Sequence, residues 1–168
     1  MNLHMLVSDR DGRSRGYLDG MGAALAGGRW SPRGKRAIYT SCRASTTLLE
    51  LLVHTGGMLP ATGRLYLVTL EIPDDCYESA YAPAPPPGWG ELARDPRATV
   101  AIGEQWLATQ EQLAMRVPSA LSPLDFNVLL NPLHEDIATV EVVSKVPFLI
   151  DPNAFGGRRR TSIAAPIL

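Results

Sequence analysis

The clearest hydrophobic pattern lies at residues 64–72, RLYLVTLEI, where aliphatic and β-branched residues fill both alternating sets of positions. A short run of this kind predicts a strand covered on both faces, and Pro73 ends it. STTLLELLVHTG, from Ser45, carries a helical period instead. A serine cap opens it, Gly56-Gly57 closes it, and Leu48/Leu52 and Leu49/Val53 form i,i+4 apolar pairs. Glu50 falls on another stripe, with Thr46, Thr47 and His54, so it meets water or edges a cleft. A second helix is predicted over 96–108, with Trp106 as a core residue. Strands are predicted at 38–41, 112–117, 127–130 and 138–144. Pro32 and Gly34 suit a type I turn, and a hairpin around Arg33 would set Arg29 opposite Ala37 with Tyr39 on the same face. Residues 1–26 show no readable pattern. Strands with few helices and no βαβ repetition predict an α+β fold, a single compact domain with a mixed or antiparallel sheet.

Composition narrows this further. A length of 168 residues suits one domain. Fifteen glycines and fourteen prolines disfavour a helical bundle. Many of them fall in residues 73–96, a proline-rich segment that is neither regular helix nor central strand. Long loops in compact domains are usually functional or disordered, and Trp89 predicts a docked contact within this one. The net charge of −1 argues against direct nucleic-acid binding. It hides +5 over residues 1–64, −8 over 65–140 and +2 over 141–168. The first third is therefore either a local anion site or ordinary charge scatter.

Cys42 and Cys76 make neither a disulfide framework nor a zinc site, which suits a reducing cytoplasm. The first residues do not resemble a signal peptide, and no apolar run is long enough for a membrane helix. Several motifs fail. GRWSPRGK (28–35) is one residue too long for a P-loop, and Arg36 stands where the magnesium-binding hydroxyl belongs. Gly20-Met21-Gly22 lacks the third glycine of a dinucleotide fingerprint, and His134-Glu135 lacks a second histidine. There is no G-x-S-x-G.

What remains is a scattered set: Arg29, Tyr39, Glu50 and Ser119. Taken singly, these are a surface arginine, a strand tyrosine, a solvated helix glutamate and a turn serine. Their surroundings say more. GGRWSPRGKRAIYTS (27–41), TTLLELLVH (46–54), GEQWL (103–107), RVPSA (116–120) and NVLLNPLH (127–134) together resemble the RES domain, the toxin half of bacterial Xre–RES toxin–antitoxin pairs. The resemblance spans residues 16–151. It implies a fold similar to the ADP-ribosyltransferase toxins, NAD+ as substrate without a metal, growth arrest, an Xre-type antitoxin partner and a homodimer within a larger complex. It places the family's arginine at Arg29, its tyrosine at Tyr39, its glutamate at Glu50 and its serine at Ser119.

The residue types fit that chemistry. Breaking the nicotinamide–ribose bond creates an oxocarbenium-like centre, stabilised by charge placed for the transition state. Glu50 suits the cationic sugar, Arg29 the pyrophosphate, Tyr39 a stack on nicotinamide, and Ser119 a hydrogen bond to the ribose or the nicotinamide amide. Three functions follow: an NAD+ glycohydrolase or phosphorylase, an ADP-ribosyltransferase acting on a protein, or a catalytically silent module that binds an Xre-type regulator. The expected organisation is a domain over 1–155 and a flexible tail over 156–168. Asn131 and His134 are expected to form a structural turn, and His54, one turn after Glu50, reads as a surface histidine before it reads as a group that tunes Glu50. Phe148 and Asp151 keep part of the family's closing segment, whereas Asn153 replaces its arginine.

Overall fold

The structure is a computed structural model, and it describes residues 1–9, 16–54, 64–91 and 95–149. The strands are β1 (Asn2–Asp9), β2 (Ile38–Ser41), β3 (Arg64–Glu71), β4 (Ala114–Pro118), β5 (Phe126–Leu130) and β6 (Glu141–Pro147). The helices are α1 (Met21–Ala26), α2 (Ala44–His54), α3 (Asp74–Glu78) and α4 (Arg97–Thr109), with 3-10 turns at Gly16–Leu18 and Glu135–Thr139. All six strands join one sheet in the order β4-β5-β2-β1-β3-β6, and every strand pair is antiparallel. The fold is α+β, as expected.

The two faces of the sheet are used differently. One carries a continuous core of Leu3, Ile38, Val68, Leu70, Val128 and Leu130, packed by Tyr77 and Ile137. Burial of this aliphatic surface is the main stabilising term. On the opposite face a smaller core of Trp30, Ala37, Trp106, Leu107, Met115 and Leu129 joins α1 and α4 to the sheet. Helix α2 covers the neighbouring part of that face against β1 and β2. The candidate site lies on this second face.

Several expectations change. The unreadable N-terminus holds β1, which lies between β2 and β3 inside the sheet. Strand β3 buries Val68 and Leu70 on one face, while Leu65 and Leu67 on the other are only half-buried. The hairpin around Arg33 does not form. Gly28 and Ser31 pair in a tight turn instead, and the following turn closes one residue later than expected, with Lys35 N donating to Pro32 O. Gly34 N is taken by Ala24 O at the end of α1. Residues 74–78 are helical, because Pro73 precedes the first turn and the next proline is Pro83. Strand β6 starts three residues after its predicted position, since Glu135–Thr139 winds into a 3-10 turn.

Helix α2 departs from its pattern, and Leu48 and Leu52 are only half-buried. It starts at Ala44, so Ser45 lies in its first turn. Leu49 and Val53 are 42% and 53% exposed, whereas Thr46 and Thr47 are buried. Hydrogen bonds explain the burial of the threonines. Thr46 Oγ1 donates to Asp125 Oδ2 (2.7 Å) and Thr47 Oγ1 to His4 O (3.1 Å). A buried hydroxyl with a partner costs little, and it directs the helix face toward its acceptors. The Gly56-Gly57 stop, the His54 side chain, the Asp151–Asn153 segment and the 156–168 tail lie outside the described residues.

Candidate active site

Register gives the site its floor. Thr69, His4, Ser41 and Asn127 stand opposite one another across β3, β1, β2 and β5, so they form one polar row on a single face. His4 Nδ1 lies 3.2 Å from Thr69 Oγ1, and burial lowers the imidazole pKa from its ordinary value. Ser41 Oγ donates to Asn127 Oδ1 at 2.7 Å. Asn127 Nδ2 then donates to Glu50 Oε1 at 2.6 Å. Tyr39 shares this face, two residues before Ser41.

Glu50 projects from α2, half-buried, with a second donor in Ser119, whose Oγ lies 3.2 Å from the same Oε1. Ser119 is 3% exposed and its hydroxyl also accepts from Leu121 N and Ser122 N at 3.2 Å each. It therefore sits behind the carboxylate and caps the turn that follows β4. Asp125 locks that turn to α2. Its carboxylate accepts from Thr46, Ser122 and Arg43, each at 2.7 Å, and its backbone carbonyl accepts from Ser119 N. The hydroxyls of Thr46 and Ser122, followed by Arg43, hold the Asp125 carboxyl below its ordinary pKa.

Arg29 and Tyr39 meet through a turn and not through strand register. Trp30 N and Ser31 Oγ contact the Tyr39 hydroxyl at 3.2 and 2.9 Å. A Cβ on Gly28 would lie 2.4 Å from that hydroxyl, so glycine is required for the close approach. Burial is the main influence raising the Tyr39 pKa, and the charge on Glu50 adds to it. Arg29 Nη1 donates to Trp89 O at 2.6 Å, with the guanidinium 6.0 Å from the Trp89 ring centre. Trp89 also packs on Trp30, ring centres 5.7 Å apart, so the contact expected in the proline-rich segment is present. Helix α4 holds the arginine from behind. Thr99 Oγ1 donates to Arg29 O at 2.5 Å, and a Cβ on Gly103 would lie 1.7 Å from Trp30 O.

Arg29, Tyr39 and Glu50 line one cavity of about 730 Å³, together with Trp89, Asn127 and His4. That size falls in the range of ~300–1,000 Å³ common for small-molecule sites. Ser119 reaches it through Glu50, while its neighbours Pro118 and Ala120 line the wall. Four residues scattered over 91 positions thus converge on one cleft. Sequence reasoning missed Asn127, Asp125 and Ser41; the NVLL strand signal was legible, but its register against Ser41 was not. Trp106 is core, as expected. Asn131 and His134 form a structural turn: Asn131 bonds Leu107 O and Leu133 N, and His134 Nδ1 caps the 3-10 turn. Among the described residues no group of three His, Cys, Asp or Glu side chains is placed to hold a metal, and no helix is long and apolar enough to cross a membrane.

Known proteins resemble this chain over most of its length. The RES domain family model matches residues 8–151. A Prs ADP-ribosylating toxin of Sphingobium sp. is 34% identical over 139 residues, covering 80% of this chain and 84% of the relative. A Toxin Res of Yersinia enterocolitica is 34% identical over 134 residues, covering 79% and 87%. A Toxin Res of Photorhabdus laumondii is 32% identical over 133 residues, covering 79% and 84%. In fold, the chain is similar to a solved structure of the Mycobacterium tuberculosis MbcT–MbcA toxin–antitoxin complex, with a TM-score of 0.64 at 18% identity, over 88% of this chain and 83% of the other. With the family model matched over most of its length and three relatives above 30% identity, the chain belongs to the RES domain family.

Proposed function

We propose that this protein is the toxin of a toxin–antitoxin pair and that it cleaves the nicotinamide–ribose bond of NAD+. The observation that carries the reading is a carboxylate, Glu50, anchored through one oxygen inside a cavity that also presents Arg29 and Tyr39. In the reaction the C–N electron pair leaves with nicotinamide, which becomes neutral, and positive charge develops on the ribose. Glu50 stabilises that charge and accepts hydrogen bonds from the ribose hydroxyls. Water or phosphate then adds to the anomeric carbon and loses its proton. Arg29 keeps N–H donors beyond the one on Trp89 O, and these suit the pyrophosphate. Tyr39 offers a ring whose hydroxyl is already pinned, so stacking on nicotinamide costs little further ordering. Ser119 acts from behind the carboxylate as a positioning residue.

A second reading keeps the bond cleavage and changes the acceptor to a protein side chain. The ADP-ribosylating relative supports it. The solved toxin–antitoxin complex supports an antitoxin partner, proposed as an Xre-type protein that covers the cleft of a homodimeric toxin.

Purified protein incubated with NAD+ should release nicotinamide, and Glu50→Ala should abolish the release. Absence of release in buffer, in phosphate and in lysate would reject both enzymatic readings; retained growth inhibition by Glu50→Ala would favour a silent binding module. Label from the ADP-ribose half appearing on a lysate protein selects the transferase, and free ADP-ribose or its 1-phosphate selects the glycohydrolase or phosphorylase. Co-purification with the product of a neighbouring helix-turn-helix gene tests the partner.

A further inference from the structure

We infer that Asn127 is a positioning residue for Glu50, and that Ser41 fixes its amide for that purpose. The inference rests on the NAD+-cleaving reading for its catalytic consequence but on geometry for the contact itself. Both donors to the Glu50 carboxylate, Asn127 Nδ2 at 2.6 Å and Ser119 Oγ at 3.2 Å, meet the same oxygen, Oε1. Among the described residues Oε2 has no such donor, and Glu50 lines the cavity. One oxygen is thus held by the protein while the other is presented to a ligand. Asn127 is the shorter of the two contacts and lies on the cavity floor, whereas Ser119 is shared with two backbone N–H groups.

The amide can point only one way. With Oδ1 accepting the Ser41 hydroxyl at 2.7 Å, Nδ2 faces Glu50. Reversal would set a carbonyl oxygen against a carboxylate oxygen. The residue must therefore be a donor, which an aspartate of nearly the same shape is not. A positioned carboxylate matters because a shift of about 1 Å at a reacting group costs up to ~100-fold in rate.

The test compares Asn127→Ala, Asn127→Asp and Ser41→Ala, each checked for folding by its thermal midpoint. Nicotinamide release should fall about 10- to 100-fold in kcat for Asn127→Ala, with KM for NAD+ changed only a few-fold. Asn127→Asp should be at least as impaired near neutral pH. It should recover on acidification, since one proton shared by two facing carboxylates restores a donor. Ser41→Ala should show a milder loss of kcat. A packing role predicts instead that Asn127→Asp is the mildest variant and that its pH profile matches the wild type; that result overturns the inference. The contact has its own readout. The Asn127 side-chain amide signal in a nitrogen-15 spectrum, assigned by its loss in Asn127→Asp, should shift in Glu50→Gln. An unmoved signal also overturns the inference. A wild-type protein that releases no nicotinamide rejects the reaction, while the amide signal still decides whether Asn127 holds Glu50.

Discussion

The Tyr39 hydroxyl lies where the side chain of residue 28 would begin: a Cβ on Gly28 would come within 2.4 Å of it. Gly28→Ala must therefore displace either the turn or the tyrosine. We expect a loss of about 1–3 kcal/mol, as for other overpacked sites. Chemical denaturation measures this, and a change below about 0.5 kcal/mol would mean that the turn yields freely. Tyr39→Phe should relieve nothing in wild type, because it removes the partner of Trp30 N and Ser31 Oγ at a cost of about 1–2 kcal/mol.

Gly103→Ala should be at least as severe. The obstacle there is the Trp30 backbone carbonyl, 1.7 Å from the new Cβ, and backbone cannot rotate away as a side chain can. The expected loss is about 3 kcal/mol, with α4 pushed from the turn that carries Arg29. Thermal unfolding monitors the first effect, and altered fluorescence of the Trp30–Trp89 pair monitors the second.

The Asp125 clasp should be visible in pH dependence. Its carboxyl pKa is lowered on folding, first by the Thr46 and Ser122 hydroxyls and then by Arg43. A lowered folded value means that the unfolded chain binds the proton more readily. The stabilisation is thus present above the unfolded carboxyl pKa of about 4 and is lost as pH falls below it. The wild type should exceed Asp125→Asn in thermal midpoint at pH 6–7, and the gap should narrow toward pH 3. A gap independent of pH would show that the carboxylate charge contributes nothing.

Arg29→Lys should weaken the engagement of NAD+ more than the retained charge implies. A lysine presents a point charge in place of a planar fork, and it loses the geometry that spans Trp89 O and a second acceptor. The expected rise in KM is about tenfold, equal to losing one charge-assisted hydrogen bond of ~1.5 kcal/mol. Steady-state kinetics of nicotinamide release measures it, and an unchanged KM would remove Arg29 from the binding role.

Where local chemistry dominates, the chain reads well. β3, α4 and the Trp89 contact were legible because apolar period and aromatic burial specify them. β1 was not, although Leu3, Met5 and Val7 alternate, because its partners lie more than 30 residues away in sequence. The burial of Thr46 and Thr47 was not, because hydrophobic period assumes apolar burial, while these two are directed by distant acceptors, Asp125 and His4 O. The same limit hid Asn127. Its partner Glu50 stands 77 residues away, and only the register of β2 against β5 brings the two together.

The threonine face of α2 carries a cost for adaptation. The helix is seated through threonine hydroxyls, and two of its aliphatic residues face outward. Replacing Thr46 or Thr47 with valine would bring more apolar surface into the interior, yet each change would strip an acceptor of its donor, and at Thr46 that acceptor is the clasp that seats Ser119 behind Glu50. Gains in thermostability along this helix and retention of the cleft are therefore opposed, so variants selected for heat resistance alone should drift toward an inert protein.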